Sequence, residues 1–257
     1  MQKSLSEKDV TLSIFESFFK YLEECVESDC IVVGGGPAGL MCARELSLQG
    51  KKVVLIERNN YLGGGFWMGG YLMNKITVGK EAKDILEEMG VSLYSIKEDI
   101  YVADSILACS SLIKKTLEAG VKVLNMTYVE DVILKSKRVC GVVINWTPVQ
   151  FLPSPVKCLD PVALESKVVV DATGHEAQVC NKLSSRGLLS VKGEGPMWVD
   201  VSEKAVVEYT GEVFKGLVVC GMAVCSVFGL PRMGPIFGGM LLSGKKASRI
   251  ILQELNK

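Results

Sequence analysis

The stretch Ile31-Val32-Val33-Gly34-Gly35-Gly36-Pro37-Ala38-Gly39 constrains what this chain can fold into more than any other. A short apolar strand runs straight into a Gly-x-Gly-x-x-Gly turn. The helical run Leu40 to Leu48 follows and stops at Gly50, and Lys52-Val53-Val54-Leu55-Ile56 gives a second strand that Glu57 closes. This is a βαβ unit of about 30 residues with an acid at its end, the setting in which the dinucleotide fingerprint carries weight. The glycines allow a tight turn and close approach of backbone to ligand, and the helix N-terminus faces a pyrophosphate. Glu57, 18 residues past Gly39, is placed to accept hydrogen bonds from adenosine ribose hydroxyls. An α/β fold with an adenine dinucleotide site is expected, and FAD suits the fingerprint as well as NAD does.

Beyond this unit the pattern departs from an ordinary nicotinamide dehydrogenase. Gly63-Gly64-Gly65-Phe66-Trp67-Met68-Gly69-Gly70 is a second glycine-dense loop, a poor element interior but a good close wall for a ligand. Helical patterns at Lys80 to Met89 and Ser105 to Leu117 alternate with strand-like runs at 121–124, 128–134 and 139–146. Residues 147–166, with Pro148, Pro153, Pro155 and Pro161, read as a long connection, and 167–173 as a strand. Leu217 to Cys220 reads as a strand, Gly221-Met222-Ala223 as a turn, and Phe228 to Pro235 as a rigid loop holding one cation, Arg232. Gly238-Gly239 then opens a final helix, Met240 to Leu255, whose N-terminus suits an anion. No second Gly-x-Gly-x-x-Gly marks a separate nicotinamide domain. One α/β domain over 1–257 is expected, with an N-terminal helical segment (1–29) and a dinucleotide-binding and catalytic core (30–257). Residues 9–26 carry an apolar stripe (Val10, Ile14, Phe15, Phe18, Phe19, Leu22) suited to core or subunit contact.

Charge and composition exclude several functions. The 29 basic and 29 acidic residues cancel, so there is no basic footprint for nucleic acid or anionic membrane. No apolar run approaches the roughly 20 residues of a spanning helix, and the first residues lack a signal peptide's apolar core. A soluble, cytoplasmic protein is expected. Nine cysteines without a Cys-x-x-Cys pair read as reduced thiols, mostly small buried hydrophobes.

The chain uses histidine once. His175 follows Val168-Val169-Val170-Asp171-Ala172-Thr173-Gly174, and Cys158-Leu159-Asp160-Pro161 places a thiol and a carboxylate upstream of it. Imidazole is the commonest metal ligand and the side chain most easily tuned near neutral pH. A polar core histidine satisfied by a backbone carbonyl is the other reading, and the residues alone leave both open.

Taken together, Gly34 to Gly39, Glu57 to Gly70, Asn145-Trp146-Thr147, Cys158 to Pro161, Thr173-Gly174-His175 and Arg232 to Met240 resemble the thiamine thiazole synthase family of eukaryotes and archaea. The resemblance runs from about residue 10 to the C-terminus. It implies a Rossmann-like dinucleotide-binding fold of the flavoprotein (glutathione reductase-like) type with an added β-rich sheet. It further implies that NAD is consumed as a substrate: nicotinamide leaves, glycine condenses with the opened ribose, sulfur is added, and an adenylated thiazole carboxylate results. Iron(II) is implied for sulfur transfer, and a homo-octamer with sites shared between neighbouring subunits. By the resemblance, Ala38, Glu57, Arg58, Gly65, Val129 and Met222 hold the nucleotide, and Arg232 binds the glycine carboxylate, a task suited to a planar charged fork. Asp160 and His175 are the implied iron ligands, with Cys158 and Leu159 beside the substrate. Cysteine at position 158 marks the branch whose members give up their own sulfur and turn over once; free sulfide is the alternative donor. An FAD-dependent oxidoreductase, an isomerase of a phosphorylated ribose and a nucleotide-sensing scaffold are the rival functions.

Overall fold

Neighbouring residues of a strand point to opposite faces of a sheet, and that alternation sorts the interior into two cores. The computed structural model describes residues 5–153, 156 and 159–256. Its first part carries α1 (Glu7–Glu23), β1 (Glu27–Val33), α2 (Pro37–Leu48) and β2 (Val53–Ile56). Next come α3 (Gly65–Met68), β3 (Lys75–Val78), α4 (Lys80–Glu88), β4 (Leu93–Lys97), β5 (Ile100–Asp104) and α5 (Ser105–Glu118). Strand β6 (Lys122–Leu124) precedes a hairpin of β7 (Thr127–Lys135) and β8 (Arg138–Trp146), and β9 (Val162–Asp171) follows. The remainder is α6 (Gln178–Ser184), β10 (Gly195–Met197), α7 (Val199–Glu208), β11 (Gly211–Phe214), β12 (Leu217–Val219), α8 (Met222–Phe228), β13 (Pro231–Arg232) and α9 (Gly238–Leu255).

The main sheet runs β11-β12-β9-β1-β2-β6, parallel from β12 to β6 with β11 antiparallel at the edge. Strand β9 serves two layers. Its first residues, Val162 to Glu165, pair antiparallel with Ile144 to Gly141 of β8, and its later ones pair parallel with β1. The hairpin is thereby stitched to the dinucleotide sheet. Cys30 and Val32 of β1 face a core built with α2, α5 and α9, whereas Ile31 and Val33 face a core shared with the hairpin, α6 and α8. Burial on both faces explains why these strands read as unbroken apolar runs.

Several expectations shift here. The stretch from β3 to β5 forms a separate antiparallel sheet, ordered β3-β5-β4, which the periodicity did not announce. Strand β4 is mostly exposed and carries no apolar alternation. The connection expected over 147–166 is shorter, because Thr147–Phe151 coils into a helical turn and β9 already begins at Val162. Leu164, Ser166 and Val168 point inward there while Glu165 and Lys167 point out, a one-sided strand whose charges disguised it. The expected turn at Gly221-Met222-Ala223 is instead the start of α8. Helix α1 has no fully buried residue, and Ile14, Phe15 and Phe19 lie on the surface, so of its stripe Leu22 at the helix end packs against the core and most of the rest does not. Tyr21 ties its end to β6, donating to the Val123 carbonyl at 3.1 Å and accepting the Val123 N–H. Among the described residues no helix is long and apolar enough to cross a membrane.

Candidate nucleotide and catalytic site

The carboxyl ends of β1, β2, β9 and β12 open onto one cavity of about 540 Å³, the crevice where open α/β sheets take their ligands. Val33 and Gly34 come from β1, Ile56 and Glu57 from β2, Ala172 and Thr173 from β9, and Gly221 and Met222 from the end of β12.

The glycine turn divides its labour by position. A methyl group at Gly34 would run into the Ala172 carbonyl, and one at Gly39 into the Gly34 carbonyl, so both are needed for packing. At Gly36 a methyl would meet nothing within 4 Å. Packing therefore does not demand glycine at this position, and the open space lies on the cavity wall, where the middle glycine of a dinucleotide fingerprint sits. Helix α2 begins there without a side-chain cap and with Pro37 in its first turn, leaving its first free N–H groups to the cavity. The second glycine loop packs on the first, with the Gly63 N–H donating to the Gly35 carbonyl at 2.7 Å.

Glu57 is buried and accepts from the Gly35 N–H and the Asn59 N–H, each at 2.8 Å. Each carboxylate oxygen keeps a second lone-pair direction for a ribose hydroxyl. Arg58 pairs bidentately with Glu176 at 2.7 and 2.9 Å across the cavity mouth. The Arg58 guanidinium holds the Glu176 carboxyl below its usual range, and the pair raises Arg58 in turn. All six predicted nucleotide contacts, Ala38, Glu57, Arg58, Gly65, Val129 and Met222, line this one cavity.

His175 lines the same cavity on a 3₁₀ turn, Gly174–Glu176, between β9 and α6. Asp171, fully buried at the end of β9, sets that turn. Its carboxylate accepts from the Thr173 hydroxyl at 2.7 Å, the Thr173 N–H at 3.0 Å and the Cys180 N–H at 2.8 Å. The Thr173 oxygen accepts in turn from the Gln178 N–H at 2.7 Å, joining the turn to α6. Ala177 closes the turn in the left-handed region at φ +39°, a strained conformation for a residue with a Cβ. The His175 carbonyl is satisfied, accepting from the Ser226 hydroxyl at 2.7 Å, but the ring is not buried in the core: it reaches the cavity.

Arg232 also lines the cavity. The β10–β13 ribbon holds its backbone, pairing Met197 with Arg232. Among the described residues its guanidinium has no ion-pair partner, unlike Arg58, so a cation is left for a ligand carboxylate. The anion-binding reading of the α9 terminus fares differently, since the Gly239 N–H already donates to the Glu203 carboxylate at 3.2 Å.

Leu159 and Asp160 are exposed and stand outside this lining. Cys158 lies outside the described residues. Among the described residues no three His, Cys, Asp or Glu side chains gather as a metal cluster. The donor chemistry nonetheless fits iron(II): an imidazole reaches the cavity, and a carboxylate and a thiol lie on the segment before β9.

Sequence reasoning missed Glu176, Glu194, Ser226 and the structural role of Asp171. The Asp171-Ala172-Thr173-Gly174 strand end carried a readable signal, an acid beside a hydroxyl at a turn. Glu194 and Ser226 meet His175 only through the tertiary fold.

Against known proteins, the profile of the Thi4 family matches residues 11–237. The thiamine thiazole synthase of Aeropyrum pernix is 51% identical over 251 residues, covering 98% of this chain and 93% of that protein. That of Pyrococcus furiosus is 49% identical, covering 96% and 98%. The crystal structure of Thermovibrio ammonificans THI4 superposes with a TM-score of 0.95 at 39% identity, covering 99% of this chain and all of that one.

Proposed function

Because the chain belongs to the Thi4 family, we propose that it is a thiamine thiazole synthase that consumes NAD and glycine and releases nicotinamide and an adenylated thiazole carboxylate. The observation that carries this reading is a single cavity with an open glycine cradle at one end and His175 with an unpaired Arg232 among its other walls. The α2 N-terminus faces the pyrophosphate, and Glu57 and Arg58 hold the adenosine half. Ala38, Gly65, Val129 and Met222 shape that half of the wall. Arg232 grips the glycine carboxylate in a bidentate fork and so aims its amine at the opened ribose.

Asp160 and His175 would hold iron(II), which when bound supplies a centre for sulfur transfer. A nitrogen and an oxygen ligand leave positions open for substrate. Cys158, two residues before Asp160, is the sulfur donor in this reading, placing the chain in the cysteine-containing branch. The cysteine gives up its sulfur with one α-proton, the balance of hydrogen sulfide, and remains as dehydroalanine; free sulfide is the alternative donor. The uncovered apolar face of α1 supports association of identical chains, an octamer by family resemblance, with sites shared between neighbours.

The test is to incubate the purified protein anaerobically with NAD, glycine and iron(II) and to follow products by mass spectrometry. Nicotinamide release with an adenylated thiazole, or a sulfur-free glycine adduct of ADP-ribose, is expected. NAD recovered intact, or a yellow protein carrying tightly bound flavin, would overturn the assignment.

A further inference from the structure

The only imidazole of the chain is held by one of its two nitrogens. Nδ1 of His175 lies 2.6 Å from Oε1 of Glu194. The Glu194 side chain is 16% exposed, whereas the imidazole is 54% exposed. An ionised carboxylate can only accept, so Nδ1 must be the donor in this contact. For a neutral ring the proton then sits on Nδ1, and Nε2 keeps its lone pair.

Glu194 is fixed from both sides. The Gly193 N–H donates to the Ser226 carbonyl at 2.9 Å, and the Gly195 N–H to the Leu230 carbonyl at 2.8 Å. Ser226, buried on α8, donates its hydroxyl to the His175 carbonyl at 2.7 Å and lies 3.3 Å from the same Glu194 oxygen. One helix thus anchors both the backbone of the histidine and the loop that carries its carboxylate. Such an arrangement specifies ring orientation as well as tautomer, and a merely solvated histidine would need neither.

We propose that Glu194 is a positioning residue that fixes His175 as the Nδ1–H tautomer and thereby presents Nε2 to a divalent cation in the cavity. The proposal rests on the reading of His175 as a metal ligand, for which the carboxylate–histidine–metal arrangement is the recurrent outer-shell solution.

A chain with one histidine makes the test direct, because protein labelled with ¹⁵N-histidine gives one imidazole signal set. In metal-free native protein with the ring neutral, the proton is expected on Nδ1. Glu194→Ala should move the population toward Nε2–H, while Glu194→Gln, whose amide oxygen still accepts, should largely keep Nδ1–H. Anaerobic titration with iron(II) should broaden the imidazole signals of the native protein. Glu194→Ala should require roughly 10- to 100-fold more iron(II) for the same effect. Native protein found as Nε2–H, or Glu194→Ala with the native tautomer and native iron(II) response, would overturn the positioning role while leaving the ligand reading intact. An Nδ1–H ring that ignores iron(II) would instead remove the ligand reading, and the proposal with it.

Discussion

The Glu57 carboxylate accepts the Gly35 N–H at 2.8 Å, so the acid ending the second strand and the glycine turn after the first form one unit. The same carboxylate takes the Asn59 N–H through its other oxygen. Glu57 therefore shapes the glycine turn, and in the proposed function its remaining lone pairs take the ribose hydroxyls. Glu57→Ala should weaken NAD binding roughly ten- to a hundredfold, from loss of charge-assisted hydrogen bonds worth about 1.5–3 kcal/mol. Calorimetric titration of NAD into folded variant protein measures this, and native affinity would mean that the fingerprint is not used.

Gly36 and Gly39 should separate binding from folding. A Cβ at position 36 meets nothing within 4 Å, so Gly36→Ala should keep the melting temperature and lose most NAD affinity. A Cβ at position 39 collides with the Gly34 carbonyl, so Gly39→Ala should force α2 off the sheet and destabilise the fold by about 1–3 kcal/mol or more. Thermal melts and NAD titrations on the two variants check the split. Equal loss of stability in both would show that position 36 is structural.

Arg232→Lys keeps a positive charge in the cavity but replaces a planar fork with a point charge. The expected outcome is a raised KM for glycine with NAD affinity nearly unchanged, because the proposed function assigns the nucleotide to Glu57 and Arg58. Loss of NAD affinity with an unaltered glycine KM would reassign Arg232 to the nucleotide.

Glu203 gives a pH signature remote from the chemistry. Burial pushes its carboxyl above the usual range, and Glu81 adds to the shift while the Gly239 N–H opposes it. A folded value above the unfolded one means stability is fully present below the unfolded pKa and falls as pH rises through the folded pKa. The native protein should thus lose some stability between the ordinary carboxylate range and that raised value. Glu203→Gln should flatten this segment of the stability–pH curve and leave the alkaline side unchanged. Urea melts across that range decide it, and a native slope retained in the variant would assign the loss to another group.

The βαβ unit was legible because glycine positions and buried strands are local demands: Gly34, Gly39 and Glu57 announce their roles in chain order. The six nucleotide contacts implied by the family resemblance come from separate parts of the chain, and the fold gathers them along one cavity. The sequence pattern starts β9 only at Lys167, because Val162, Ala163 and Glu165 face solvent and only Leu164 and Ser166 before it face inward. The surroundings of His175 were not legible at all. Glu194 is 19 residues away and Ser226 is 51, and only the seating of α8 against the 174–176 turn brings them together. Asp160 remains apart from the cavity lining, so sequence and structure meet there only through the family.

In the proposed function Cys158 is the sulfur donor, and each chain then acts once. It stands in the Cys158-Leu159-Asp160-Pro161 stretch, two residues before Asp160, and a cysteine reacts as its thiolate. The core thiols are no substitutes: burial pushes Cys30, Cys42 and Cys220 far up and Cys109 to about 12, leaving them protonated. With NAD, glycine and iron(II) and no added sulfide, product should reach no more than one equivalent per chain. Intact-protein mass should then fall by one hydrogen sulfide, and peptide mapping should place the loss at residue 158. Cys158→Ala should release nicotinamide and stop at the sulfur-free glycine adduct. Repeated turnover on sulfide with Cys158 intact in every chain would transfer the donor role to sulfide and leave the thiazole synthase reading in place.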